Sequence, residues 1–315
     1  MISSTTRRTF LQLAAGSLAA ASAQAARVGE QTPRLDLLIR GGTIVDGSGG
    51  PRTRNDVGIQ GDRIAMIGDL ANARAKTTIN ADGLIVCPGF IDMHTHSDRS
   101  LLEDGLAQSA IRQGATTHVI GNCGSSPAPV AEPVTLYGHS IRTYADYLGA
   151  LKTHGTSINV CGLVGHNSIR RAVMGSQDRN PTAGELRRMQ DHVDEAMRAG
   201  AVGLSTGLVS PPGTYSETPE IVALARVVAR HGGQYSSHIR GEASTLIEAV
   251  REAIRIGQEA GLPVQISHHK AAGRENWGTT RKTLPLIEAA NRAGHRVRVD
   301  VYPYHAGSAG LAQLV

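Results

Sequence analysis

The feature that most constrains this chain is the alternation that begins after Pro88. From there on, short apolar β-prone runs take turns with amphipathic helical segments almost to the end. Runs at Phe90 to Met93, Thr116 to Ile120, Ile158 to Val164, Val202 to Ser205, Gln234 to Ser237, Val264 to Ser267 and Arg296 to Val301 read as strands. The helices between them have readable ends. Thr182 and Glu185 form a capping box, Leu186, Met189, Val193 and Met197 make one face, and Gly200 stops the helix. Thr218-Pro219 opens another that ends near Gly232-Gly233, and two more span about Ser244 to Gly261 and Leu284 to Gly294. Repeated strand-then-helix units demand a parallel sheet with helices packed on it. Units at this spacing, with no dinucleotide-binding fingerprint, favour a (β/α)8 barrel of the TIM type over a doubly wound sheet. Seven strands are counted and the sequence stops shortly afterwards at Val315, so an incomplete barrel or a fragment is expected over residues 89–315.

Residues 27–88 have a different character. Leu35 to Arg40, Thr43 to Val45, Asp56 to Ile59, Arg63 to Ile67, Thr77 to Ile79 and Leu84 to Val86 are short strand-like runs separated by glycine turns. With no helix signal among them, they predict part of a small β-sandwich or sheet. Residues 1–25 read as an export signal of the twin-arginine type: Arg7-Arg8 and Phe10-Leu11 precede an Ala/Leu run, with a small-residue cleavage site at Ala23-Gln24-Ala25. A generic secretory signal or a basic tail is the plainer alternative. The run is too short and alanine-rich for a membrane span. A periplasmic or secreted location after cleavage is therefore expected, with the twin-arginine export machinery as a partner. Three cysteines, Cys87, Cys123 and Cys161, make no disulfide framework and leave at least one thiol free. The net charge of +5 is dispersed among acidic residues, and aromatics are only 3%. Nucleic-acid binding, which needs a basic stripe or stacking platforms, is not expected.

Chemistry gathers at the predicted strand ends. His94 and His96 in Gly-Phe-Ile-Asp-Met-His-Thr-His lie one residue apart at the end of the first barrel strand and so share a face. Cys123, in Gly-Asn-Cys-Gly, follows the second strand; His238 ends the fifth and His268 the sixth. Each alone has an ordinary explanation: surface histidines, a buried thiol, a hydrogen-bonded loop imidazole. Together they place four ligand-bearing strand ends on the rim where barrel enzymes keep their active sites, and imidazole plus thiolate is a zinc-type donor set. His166 and His305 fall near the same rim and are candidates for substrate contact. His118 sits within strand two, His269 should face away from the site, and His139, His154, His192, His231 and His295 read as loop or surface histidines.

These motifs resemble the amidohydrolase superfamily and, more narrowly, its D-aminoacylase (N-acyl-D-amino-acid deacylase) family. The resemblance runs from about Leu35 onward through Gly-Gly-Thr-Ile-Val-Asp-Gly-Ser-Gly, Pro-Gly-Phe-Ile-Asp-Met-His-Thr-His-Ser-Asp, Gly-Asn-Cys-Gly, Gly-Leu-Ser-Thr-Gly-Leu, Ser-His-Ile-Arg, Ile-Ser-His-His-Lys and Asp-Val-Tyr-Pro-Tyr. Asn-Cys-Gly is the most specific of these, because in that family a cysteine fills the metal-bridging position. The resemblance implies hydrolysis of the amide bond of N-acyl-D-amino acids at a Zn2+ ion, which lowers the pKa of bound water to about 7. It implies that Cys123, His238 and His268 hold a tight zinc and that His94 and His96 serve a weaker second position. Lys270 and Tyr302 would meet the substrate, with Arg240 in the same anion site. Ser210 stands where the family has an aromatic that lines the pocket. The family's proton-shuttling aspartate would fall beyond Val315, so the 315-residue chain is expected to bind zinc weakly and turn over poorly. Cyclic-amide hydrolysis and an inactive truncated product are the alternatives.

Overall fold

A computed structural model describes residues 34–308. The expected export signal and its cleavage site lie outside the described residues. The chain divides into two units at Pro88/Gly89. Among the described residues no helix is long and apolar enough to cross a membrane.

In the first unit, β1 (Leu35–Ile44), β2 (Thr53–Gln60), β3 (Arg63–Gly68), β4 (Ala75–Asn80) and β5 (Ile85–Val86) form one mixed five-stranded sheet. The order is β3-β2-β1-β4, and β5 continues beside the end of β1. The sequence suggested a break at Gly41-Gly42, but β1 runs through it with a register shift between Ile39 and Gly42. Glycine permits this bulge: Gly41 has φ +71°, and a Cβ on Gly42 would lie 2.4 Å from a Val86 methyl carbon. Leu35 and Leu38 are fully buried and form a small cluster with Leu70. The described residues supply one sheet layer of the expected sandwich.

The second unit contains the seven expected strands. They are β6 (Phe90–Asp92), β7 (Ala115–Ile120), then, after the hairpin β8 (Val134–Leu136) and β9 (His139–Ile141), β10 (Asn159–Gly165), β11 (Gly203–Gly207), β12 (Gln234–His238), β13 (Val264–Ile266) and β14 (Val297–Val299). All seven are parallel and lie side by side in chain order, a curled part-barrel. Because every connection returns the chain to the same end, all strand C-termini point to one rim.

Six longer helices cover the sheet. Ala183–Ala199 has the predicted capping box at Thr182/Glu185 and a left-handed Gly200 at its end. Thr218–Arg230 carries Pro219 in its first turn, and Leu246–Ala260 closes on a left-handed Gly261. Two helices went unread in the sequence, Tyr144–His154, with its own Thr143/Asp146 capping box, and His166–Met174. The last, Thr280–Arg292, begins four residues before the expected Leu284 because Pro285 lies within it and not at its start. Val193, Leu224, Val228, Val250 and Ile256 form one buried cluster with Ile120, Val164, Leu204, Tyr235 and Ile266 of the strands. Each such aliphatic side chain contributes about 1.5–3 kcal/mol on burial. This layer makes the scaffold rigid enough to hold side chains at the strand ends in fixed positions.

Candidate metal centre

Five strand ends bring ligand-type atoms together. His94 follows β6, Cys123 follows β7, His238 is the last residue of β12, His268 follows β13 and Asp300 follows β14. Cys123 lies between two imidazoles: its Sγ is 3.3 Å from His94 Nε2 and 3.5 Å from His268 Nε2. The His238 ring packs edge-on against His268, with centroids 4.3 Å apart. Donor atoms of His94, Cys123 and His268 all lie within 4.8 Å of one another, as do those of His238, Glu242 and His268. A tetrahedral zinc with Zn–N near 2.05 Å and Zn–S near 2.3 Å has ligand–ligand edges of roughly 3.3–3.6 Å. The Cys123 contacts match those edges, so the residues fit a zinc-type ion.

Two carboxylates set the imidazole tautomers. His94 Nδ1 faces Asp300 at 3.3 Å, leaving Nε2 toward the thiol. Asp300 also accepts from the His268 backbone N–H at 2.6 Å and from Gln265 Nε2 at 2.9 Å. His268 Nδ1 donates to Glu242 at 2.6 Å, so its Nε2 also faces Cys123. An imidazole anchored through one nitrogen by a carboxylate presents a fixed, more basic lone pair on the other, an arrangement common around bound metals. Lys270 neutralises Glu242 at 2.5 Å. The 3.2 Å separation between Lys270 Nζ and His268 Nδ1 is a contact between two donors, since that nitrogen already gives its proton to Glu242.

Burial pushes the Cys123 thiol up to about 12, helped by the charges of Asp300 and Glu242. Burial and the neighbouring His268 push His238 down to about 4. Burial alone would raise Asp300 and Glu242, but the hydrogen bonds from His94 and His268, with those from Gln265 and Lys270, hold both below the usual carboxylate range. The cluster therefore sets a neutral His238 beside two carboxylates at neutral pH, an arrangement that attracts a divalent cation. Cys123 and His268 also adopt left-handed backbone angles, φ +52° and +36°. Such strain in non-glycine residues concentrates at functional sites.

The remaining predicted residues are placed as follows. His96 packs edge-on against His94 with centroids 5.3 Å apart but belongs to neither donor group. The expected division of ligands put Cys123 with His238 and His268; the atoms in contact with its sulfur belong to His268 and to His94. Lys270 extends over the Tyr302 ring, 5.6 Å from its centroid, at the edge of the cluster. Ser210 is half-buried beyond β11, its carbonyl facing Asn167. Arg240 does not reach the cluster: its guanidinium clamps Glu252 with two 2.9 Å contacts and also donates to the Ser216 carbonyl, so its charge is already neutralised. His166 is not on the accessible rim either. It is fully buried, 2.7 Å from Glu220, which also pairs with the buried Arg170 at 2.8 Å. His305 is exposed. His269 faces away from the cluster, onto Thr283 at 2.9 Å. Sequence reasoning missed Glu242 and Asp300 as site residues. Asp300 stood at a strand end, the same signal that identified the histidines; Glu242 lies in an irregular loop with no periodicity to orient it.

The amidohydrolase family profile matches residues 77–307. The D-aminoacylase of Alcaligenes xylosoxydans xylosoxydans is 47% identical over 288 residues, covering 89% of this chain and 59% of that protein. A crystal structure of D-aminoacylase superposes with a TM-score of 0.82 at 42% identity, covering 87% of this chain and 59% of the other. An N-acyl-D-glutamate deacylase from Bordetella bronchiseptica, solved with zinc and a phosphonate mimic of the tetrahedral intermediate, gives 0.81 at 40% identity, with coverages of 86% and 59%. The chain thus spans about three-fifths of the length of the relatives it matches. With the part-barrel, the half-buried thiol–imidazole cluster and a profile match across most of its length, the chain belongs to the amidohydrolase family.

Proposed function

We propose that this chain carries the metal centre of a zinc-dependent deacylase of N-acyl-D-amino acids. The observation that carries the reading is the contact of Cys123 Sγ with both His94 and His268 at the strand-end rim. The likeness to D-aminoacylase and to a zinc-complexed deacylase supplies the substrate class. Cys123, His238 and His268 would hold one ion tightly, and His94 with His96 would serve a weaker second position. When bound, zinc supplies Lewis acidity and lowers the pKa of water to about 7. The chain's own residues do the rest of what is assigned here. Asp300 and Glu242 engage the histidine Nδ1 atoms and so aim the Nε2 atoms at the thiol. Lys270 and Tyr302, at the edge of the cluster, take the substrate carboxylate; the ammonium has a hydrogen left after its bonds to Glu242 and to the His268 carbonyl. Holding the carboxylate fixes the scissile amide relative to the ligands, and such positioning lowers the barrier by pre-paid orientation.

The test is zinc analysis of the purified protein together with hydrolysis of N-acetyl-D- and N-acetyl-L-amino acids. Weakly held zinc and slow turnover confined to the D series are expected of this 315-residue chain; turnover of the L series alone would sink the reading. We also propose export through the twin-arginine route. Replacing Arg7 and Arg8 by lysine should leave the protein in the cytoplasm, and unchanged export would refute that.

A further inference from the structure

The turn that carries Cys123 is built from an unusual backbone. Gly121, Cys123 and Gly124 all have positive φ, at +76°, +52° and +76°. A cysteine gains nothing by itself from the left-handed conformation, which its Cβ disfavours. Something outside the turn has to hold it, and the neighbouring strand β11 does. Ser205, fully buried in β11, donates its hydroxyl hydrogen to the Gly121 carbonyl and accepts from the Gly124 N–H at 3.0 Å. One hydroxyl offers a donor and two lone pairs, so it satisfies both ends of the turn at once. Two residues along the same face, Gly207 abuts the turn so closely that a Cβ there would stand 2.2 Å from the Cys123 carbonyl oxygen. A small apolar residue is the common occupant of such a buried strand position. A serine there indicates that the hydroxyl itself is used.

We propose that Ser205 is a positioning residue for the Cys123 thiolate: its hydroxyl latches the two ends of the Gly121–Gly124 turn and so sets where Sγ stands between His94 and His268. Ser205 has no exposed surface and does not touch substrate. The proposal rests on the reading of Cys123 as a metal ligand.

The test uses the full chain loaded with cobalt(II), whose thiolate-to-metal charge-transfer absorption reports the Cys123 bond directly. Ser205→Thr and Ser205→Val have the same shape and differ only in the hydroxyl. The threonine variant is expected to keep the band and a cobalt affinity within about 3-fold of the parent, while the valine variant loses about 10-fold or more and its band weakens or shifts, as supporting-residue changes around metal sites do. In a Cys123→Ser background the two should bind cobalt equally. If neither branched variant folds, Ser205→Ala, which is smaller than serine, takes the place of valine. A valine or alanine variant with the parent's band and affinity would overturn the latch, and so would equal losses in threonine and valine. Absence of any charge-transfer band in the parent would instead overturn the reading of Cys123 as a ligand, so the two failures are distinguishable.

Discussion

Replacing Asp300 by asparagine should weaken metal binding by about 10- to 100-fold, or about 1.4–2.7 kcal/mol, while leaving the fold intact. Three donors converge on this carboxylate: the His268 N–H at 2.6 Å, Gln265 Nε2 at 2.9 Å and His94 Nδ1 at 3.3 Å. A carboxylate accepts all three on its two oxygens, whereas an asparagine offers one oxygen and an NH2 that itself needs acceptors. If the remaining oxygen keeps the His268 N–H, the amide group opposes a donor, and the Gln265 amide must flip to answer it. His94 loses an ionic partner in every arrangement, and hydrogen bonds to an ionised group are about twice as strong as neutral ones. Its ring is then free to carry the proton on Nε2, the nitrogen that faces Cys123 at 3.3 Å. The cost therefore falls on the ligand tautomer and not on the packed core. Zinc affinity from competition with a chromophoric chelator measures it, with thermal unfolding of the metal-free proteins as the control. An Asp300→Asn protein with parental zinc affinity would refute the claim that this carboxylate sets the His94 tautomer.

Other outcomes follow from the same geometry. Glu220→Gln removes the carboxylate that pairs with the buried Arg170 and His166, and an uncompensated buried cation should cost about 3–5 kcal/mol in urea unfolding; a loss below about 1 kcal/mol would refute a stabilising role for the pair. His238 titrates near 4 when folded against 6.5 in the open chain, so its contribution is fully present above about pH 6.5 and is lost as pH falls through 4. In metal-free protein this predicts a decline of up to about 3 kcal/mol between those pH values, reduced or absent in His238→Gln, read by denaturant titration at several pH values. Gly121→Ala should destabilise the Cys123 turn and weaken zinc binding, because its Cβ would sit 1.9 Å from the Leu163 carbonyl oxygen at a φ of +76°; a chelator titration indistinguishable from the parent would count against the turn's tight seating.

The barrel strands were readable because β-prone runs recur in register with helices whose caps are local: Thr182 with Glu185 and Gly200 signals a helix in any context. The clustered histidines and Cys123 were readable for a related reason, since a strand end in a parallel sheet is a place in space as well as in sequence. Arg240 and His166 were misplaced because sequence position near a strand end does not reveal which way a side chain turns once a carboxylate such as Glu252 or Glu220 can capture it.

By itself, then, the amino-acid order determined the seven parallel strands, the rim on which their ends meet and the thiol and imidazoles that gather there. The tertiary structure alone decided which nitrogen of each imidazole faces the sulfur, through Asp300 and Glu242, and how a left-handed cysteine is held, through Ser205 on another strand. The physical reason is range. Propensity and capping act over a few residues, whereas these contacts join groups that are 206, 26 and 81 residues apart and exist only after the sheet has formed.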